Sequence, residues 1–167
     1  MTSERLSDIY KRPVELLQNL LRFDTTNPPG DEAACIAYVD SLFQDAGIET
    51  VIAGKVENRP NLIARLKGRG EAPPLLMHGH VDVVTTANQV WKHDPFGGEI
   101  IDGYVWGRGA LDMKGAVANM ICALLRAKAE GFVPAGDILL AVVADEEQGG
   151  DFGARWLVEN RPDLFEG

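Results

Sequence analysis

His80 and Asp82 close the apolar run Leu75-Leu76-Met77-His78-Gly79-His80-Val81-Asp82, and Asp112 follows the glycine-rich stretch Gly107-Arg108-Gly109-Ala110-Leu111. Glu146 and Glu147 follow a second apolar run, residues 138–144. An imidazole and several carboxylates at the ends of apolar segments form a donor set for a divalent metal ion. His80 and Asp82 are two residues apart, so in extended backbone their side chains share a face. Either both bind metal, or Asp82 accepts the other imidazole proton and orients the ring. Asp112 has two oxygens and can bridge two cations about 3.5–4 Å apart. Adjacent residues near a strand end point in different directions, so one of Glu146 and Glu147 can hold metal while the other faces the bound water. That division suits hydrolysis. The metal acidifies water and polarises a carbonyl, and the free glutamate takes the proton and returns it to the leaving amine.

Taken singly, each residue has an ordinary explanation. Asp112 would serve as an N-cap for the helix beginning near Met113, and the glutamate pair as a solvated loop. Their joint occurrence at strand ends is what points to a site. His78, inside the strand, reads as a core histidine or as support for a ligand, and His93, in a polar loop, as solvent-exposed or as lining the mouth of the site. Lys114, Arg108 and Asp145 read as helix-surface, turn and strand-end residues, and Trp91, Trp106 and Trp156 as packing residues. The chain has no GxSxG, no GxxxxGK[ST] and no CxxC. Gly107-Arg108-Gly109 sits where a dinucleotide loop would, but its third glycine position is Asp112, whose charge would repel a pyrophosphate.

The elements that must position these residues alternate. Pro13 suits the first turn of a helix whose apolar residues Val14, Leu16, Leu17, Leu20, Leu21 and Phe23 fall mostly on one face. Residues 25–30 break it. Asp31 is expected to cap a second helix, carrying Ile36, Val39, Leu42 and Phe43 and ending near Gly47. Strands are expected at 49–53 and 62–66, with a turn around residues 58–61, and the run at Leu75 reads as a buried strand. A long loop spans residues 85–96, and Asp102-Gly103 between apolar pairs marks a hairpin. Ala116, Val117, Met120, Ile121, Leu124 and Leu125 give a helix ending near Gly131. Residues 138–144 read as a central strand covered on both faces, and Asp151 as the cap of a helix through Trp156 and Leu157. The sum is an α/β fold: a mixed, mostly parallel sheet with helices on both faces.

Net charge is −9, which disfavours nucleic-acid and anionic-membrane partners, since both need a basic surface. A hydrophobic fraction of 46% argues against disorder. Cys35 and Cys122 show no disulfide spacing and read as reduced core thiols of a cytoplasmic protein. Residues 1–5 lack the apolar core of a signal peptide, and no apolar run approaches the roughly 20 residues of a membrane span.

Several ordered motifs together resemble one family. They are Thr25-Thr26-Asn27-Pro28, Arg59-Pro60-Asn61-Leu62, His78-Gly79-His80-Val81-Asp82-Val83-Val84, Trp91 with Asp94-Pro95-Phe96, Gly107-Arg108-Gly109-Ala110-Leu111-Asp112-Met113-Lys114-Gly115, and Asp145-Glu146-Glu147. The family is that of the co-catalytic zinc amidohydrolases, which include acetylornithine deacetylase, succinyl-diaminopimelate desuccinylase, aminoacylase and glutamate carboxypeptidase. The resemblance covers nearly the whole chain. It implies a zinc-peptidase-like three-layer sandwich in which His80 binds one metal, Asp112 bridges both and Glu147 binds the other. Glu146 would be the general base, Asp82 would clamp the His80 ring, and a non-proline cis peptide would follow Asp112. The implied cofactor is zinc, two ions per complete site, with cobalt or manganese permitted by the same ligands. The implied reaction is hydrolysis of an amide bond in an N-acyl amino acid or small peptide by a metal-bound hydroxide.

The resemblance also implies a later carboxylate and a distant histidine, one for each metal, and a lid domain through which the complete enzyme would form a homodimer. Residues 1–167 are therefore expected to be the N-terminal part of a metallohydrolase catalytic domain, incomplete at its C-terminus. By themselves they should bind metal weakly or at a single site and turn over little substrate, since three ligands cannot hold two ions well. The alternative expectation is an inactive fragment or binding module that keeps the fold.

Overall fold

Val142 faces Leu62 on one side and Gly79 on the other, which places its strand in the middle of the sheet. The computed structural model describes residues 5–166; the first four residues, part of the stretch read for a signal core, and Gly167 lie outside the described residues. The main sheet contains β1 (Glu49–Ala53), β2 (Asn61–Leu66), β3 (Leu75–His80) and β6 (Ile138–Val143) in the order β1-β2-β6-β3. A separate hairpin pairs β4 (Ile100–Ile101) with β5 (Tyr104–Val105). Its turn residues Asp102 and Gly103 both have positive φ, 52° and 83°, as the expected two-residue turn requires.

The sheet is mixed, as expected, but not mostly parallel. Of its described pairings only β3 with β6 is parallel; β1 with β2 and β2 with β6 are antiparallel. The reason lies in the connections. β1 and β2 are joined by a short turn, which forces antiparallel pairing. A helical crossover through α3 (Lys114–Ala129) returns the chain so that β6 runs parallel to β3.

Alternation along the central strands feeds two cores. Leu62, Ala64, Leu140 and Val142 pack with α1 (Pro13–Leu21), α2 (Ala33–Ala46) and α3, while Ile63, Leu139, Ala141 and Val143 pack with Leu157 and Leu164 beyond the other face. Leu157 lies on α4 (Ala154–Asn160) and Leu164 on the 3-10 turn Pro162–Phe165. This is the expected three-layer arrangement. Each fully buried Leu or Val contributes about 1.5–3 kcal/mol, so β2 and β6 anchor the molecule.

Three local expectations are corrected. Among the described residues β3 is an edge strand rather than a buried one, and Leu75 and Leu76 are 58% and 48% exposed. The layer around Leu157 and Leu164 draws on β1, β2 and β6 and includes no β3 residue. Asp31 does not cap α2. Glu32 occupies that position, its carboxylate drawn inward by Arg59, and the amides of Glu32 and Ala33 donate to the Asn58 carbonyl. Asp151 does not cap α4; Gly153 is the cap residue, and Asp151 pairs with Arg155 one turn on. Cys35 and Cys122 are free thiols, and burial pushes the Cys35 thiol up to about 11. No helix among the described residues is long and apolar enough to cross a membrane.

Candidate metal centre

The parallel register of β3 and β6 sets His80 opposite Val143, and the Val81 amide continues the ladder to the Val143 carbonyl at 3.0 Å. Asp82 and Asp145 therefore emerge side by side at the carboxyl ends of neighbouring parallel strands, the usual place for ligands in such sheets. A third segment lines up beside them. Thr26 bridges Val83 in parallel, and the Asn27 amide donates to the Val83 carbonyl at 2.8 Å.

Asp112 arrives from the turn before α3. Gly109 holds φ 84°, and an added Cβ there would run into Val83, so glycine lets the turn lie close to the strand end. The Asp112–Met113 peptide is cis. Met113, not Asp112, is the helix cap, and the Asp112 side chain remains 77% exposed, free to bind something else.

Glu146 and Glu147 open a short 3-10 turn, Glu146–Gln148. Asp145 before them takes a left-handed backbone, φ 64°, which turns the chain so that the amides of Glu146 and Glu147 donate to Oδ1 and Oδ2 of Asp82, each at 3.1 Å. Behind this turn Gly153 lies against Ala144 so closely that a Cβ on it would meet the Ala144 carbonyl oxygen.

The His80 ring is held from one side. Its Nδ1 lies 3.3 Å from Asp82 Oδ1 and 3.0 Å from the Asp82 main-chain oxygen. Both partners are acceptors, so in the neutral ring Nδ1 carries the hydrogen and Nε2 offers its lone pair. That nitrogen faces Asp112 Oδ1 at 3.2 Å and Glu146 Oε2 at 3.7 Å. One ligand atom from each of His80, Asp112 and Glu147 lies within 4.8 Å of the others. Donors about 2.0–2.1 Å from a tetrahedral zinc stand about 3.3 Å apart, so the His80–Asp112 spacing fits a shared ion.

Electrostatics agree with a cation site. Burial opposes the charged form of His80, but the hydrogen bond and charge of Asp82 outweigh it and lift the imidazole to about 9. Burial also acts against Asp82, whose carboxyl is nevertheless held below its usual value by His80, Asn27 and the two amides. Glu147 is pushed up by burial and by the negative charges of Asp112, Asp82 and Glu146, against the pull of His80. A bound cation would relieve that crowding.

All five residues singled out from the sequence, His80, Asp82, Asp112, Glu146 and Glu147, meet here. Others differ from expectation. His78 is exposed on the edge strand rather than in the core. His93 packs edge-on against Trp106 at 5.0 Å instead of facing solvent, and the Arg108 guanidinium lies over Trp91 at 5.1 Å. Lys114 is not on a helix surface; it is fully buried and donates to the Leu20 and Phe23 carbonyls. Asp145 is buried as well, paired with Arg59 and hydrogen-bonded to Asn27. Asn27, Glu32 and Arg59 had no assigned role in the sequence. Asn27 and Arg59 stand inside motifs that carry the family resemblance, and that is the available signal.

Comparison with known proteins gives a consistent picture. The model of peptidase family M20/M25/M40 matches residues 76–167. A succinyl-diaminopimelate desuccinylase of Cereibacter sphaeroides is 35% identical over 136 residues, covering 81% of this chain and 35% of the relative. The chain thus spans about a third of the length of that relative. Among solved structures, the M20 family metallo-carboxypeptidase Sso-CP2 of Sulfolobus solfataricus superposes with TM-score 0.74 at 19% identity, over 92% of this chain and 35% of the other. The YXEP protein of Bacillus subtilis, described as a dinuclear metal binding peptidase, gives TM-score 0.63 at 18% identity over 91% and 39%. At these identities the two structures bear on the fold.

Proposed function

The chain belongs to peptidase family M20/M25/M40, and on that premise we propose that it serves metal-dependent hydrolysis of an amide bond in an N-acyl amino acid or small peptide. The observation that carries the reading is the convergence of His80, Asp112 and Glu147 donor atoms within 4.8 Å, from three separate segments. His80 and Asp112 are the groups that would hold one zinc ion, and Asp112 with Glu147 the groups that would hold the other. Bound there, zinc would polarise the scissile carbonyl and lower the pKa of the attacking water.

The chain's own residues supply the remainder. Asp82 keeps the Nδ1 hydrogen of His80 engaged, so Nε2 stays a donor toward metal. Glu146 is 54% exposed and lies 3.7 Å from His80 Nε2, near the ligands yet open to substrate. It takes a proton from the attacking water as the carbon–oxygen bond forms, and delivers it to the amine nitrogen as the carbon–nitrogen bond breaks. In this reading residues 1–167 are the first part of a catalytic domain, and the greater length of the relatives leaves room for the further carboxylate and histidine ligands.

N-succinyl diamino acids are the first substrates to assay, because the relative named above is a desuccinylase. In the full chain, Glu146→Gln should lower kcat by about 10²–10⁴ while zinc remains bound. Glu147→Gln should instead weaken zinc. Near-normal turnover by Glu146→Gln would remove it as the base.

A further inference from the structure

We infer that Asn27 is a positioning residue for the metal ligands, tying the ends of β3 and β6 together through Asp82 and Asp145. The inference rests on the reading that His80, Asp112 and Glu147 bind metal. Asn27 is 2% exposed, and its amide nitrogen donates to Asp82 Oδ2 at 2.8 Å and to Asp145 Oδ1 at 2.9 Å. Carboxylates only accept, so both hydrogens of one amide are spent on two acids from two strand ends.

Each of those acids controls the ligand pair. Asp82 Oδ2 receives two donors, Asn27 and the Glu147 amide, while Oδ1 receives the Glu146 amide and faces His80. Removing Asn27 leaves Oδ2 with the Glu147 amide alone and frees the carboxylate to rotate away from the imidazole. Asp145 supplies the left-handed residue that aims Glu146 and Glu147. Its carboxylate is fixed by Asn27, by the Phe152 amide at 3.1 Å and by Arg59 Nη1 at 3.1 Å. Arg59 is in turn held by two bonds to Glu32 and lies over the Phe152 ring at 4.7 Å. Asn27 is the one described side chain bonded to both acids. It is neutral, as it must be: an aspartate there would add a third negative charge beside two buried carboxylates.

The test is zinc affinity, measured on the full chain by competition with a chromophoric chelator, beside kcat and KM. Asn27→Leu keeps the branched shape of the side chain and removes the donors. Its zinc affinity should fall about 10–100-fold, and kcat should fall with KM nearly unchanged, while near-ultraviolet circular dichroism reports a folded protein. Should Asn27→Leu fail to fold, Asn27→Ala, which removes both donors without adding bulk, should show the same loss. A folded variant that binds zinc within twofold of the parent overturns the inference and leaves the proposed function standing. A parent chain that binds no zinc overturns both.

Discussion

The Lys114 ammonium donates to the Phe23 carbonyl at 2.8 Å, across 91 residues of sequence, and to the Leu20 carbonyl at 3.0 Å. It thereby fastens the start of α3, two residues after Asp112, to the end of α1. Burial holds the amine below its ordinary lysine value, so the group is placed there at a cost. Lys114→Met should destabilise the protein by about 1–3 kcal/mol, because both carbonyls lose their donor. A lower urea midpoint with an unchanged slope is the expected result.

Asp137 at the foot of β6 accepts from the Gly68 amide at 2.8 Å and pairs with Arg65 at 2.6 Å. The Gly68 hydrogen bond first, and then Arg65, hold its carboxyl below the usual value. A folded-state value below the unfolded one stabilises the protein above the unfolded carboxyl range. That stabilisation is lost as pH falls through the folded value. Near neutrality the parent should exceed Asp137→Asn by about 1 kcal/mol. Denaturation at pH 7, 5 and 3 should show that lead shrinking toward zero at the acid end.

His80, Asp112 and Glu147 each bring a ligand atom within 4.8 Å of the others, a set large enough for one ion and too small to hold two well. Zinc titration of these 167 residues should therefore saturate at one ion per chain, with excess zinc raising the melting temperature by mass action. Two tightly held ions would mean that the ligand set within this chain is larger than the three named.

The parts of the fold and site legible in the sequence were those written locally. Apolar alternation and punctuation by Pro13, Gly47 and Asp102-Gly103 located α1, the end of α2 and the hairpin. His80, Asp112 and the glutamate pair stood out because polar residues interrupt apolar runs abruptly. What escaped depends on contacts between distant segments. Nothing near Lys114 announces that the end of α1 covers it, and nothing near Asp145 announces Arg59. The edge position of β3 was hidden for the same reason: an apolar run looks alike whether or not a layer covers it.

That edge has a consequence for handling the protein. On the side away from β6, β3 has no strand partner among the described residues, so its main-chain donors and acceptors there form an open ladder beside half-exposed leucines. Such a border is a template for intermolecular strand addition, and past Pro74 it carries neither lysine nor proline to blunt it. Colloidal behaviour of these 167 residues should accordingly be governed by Leu75 and Leu76. Concentrated solutions should drift toward β-rich oligomers, whereas Leu76→Lys keeps them dispersed.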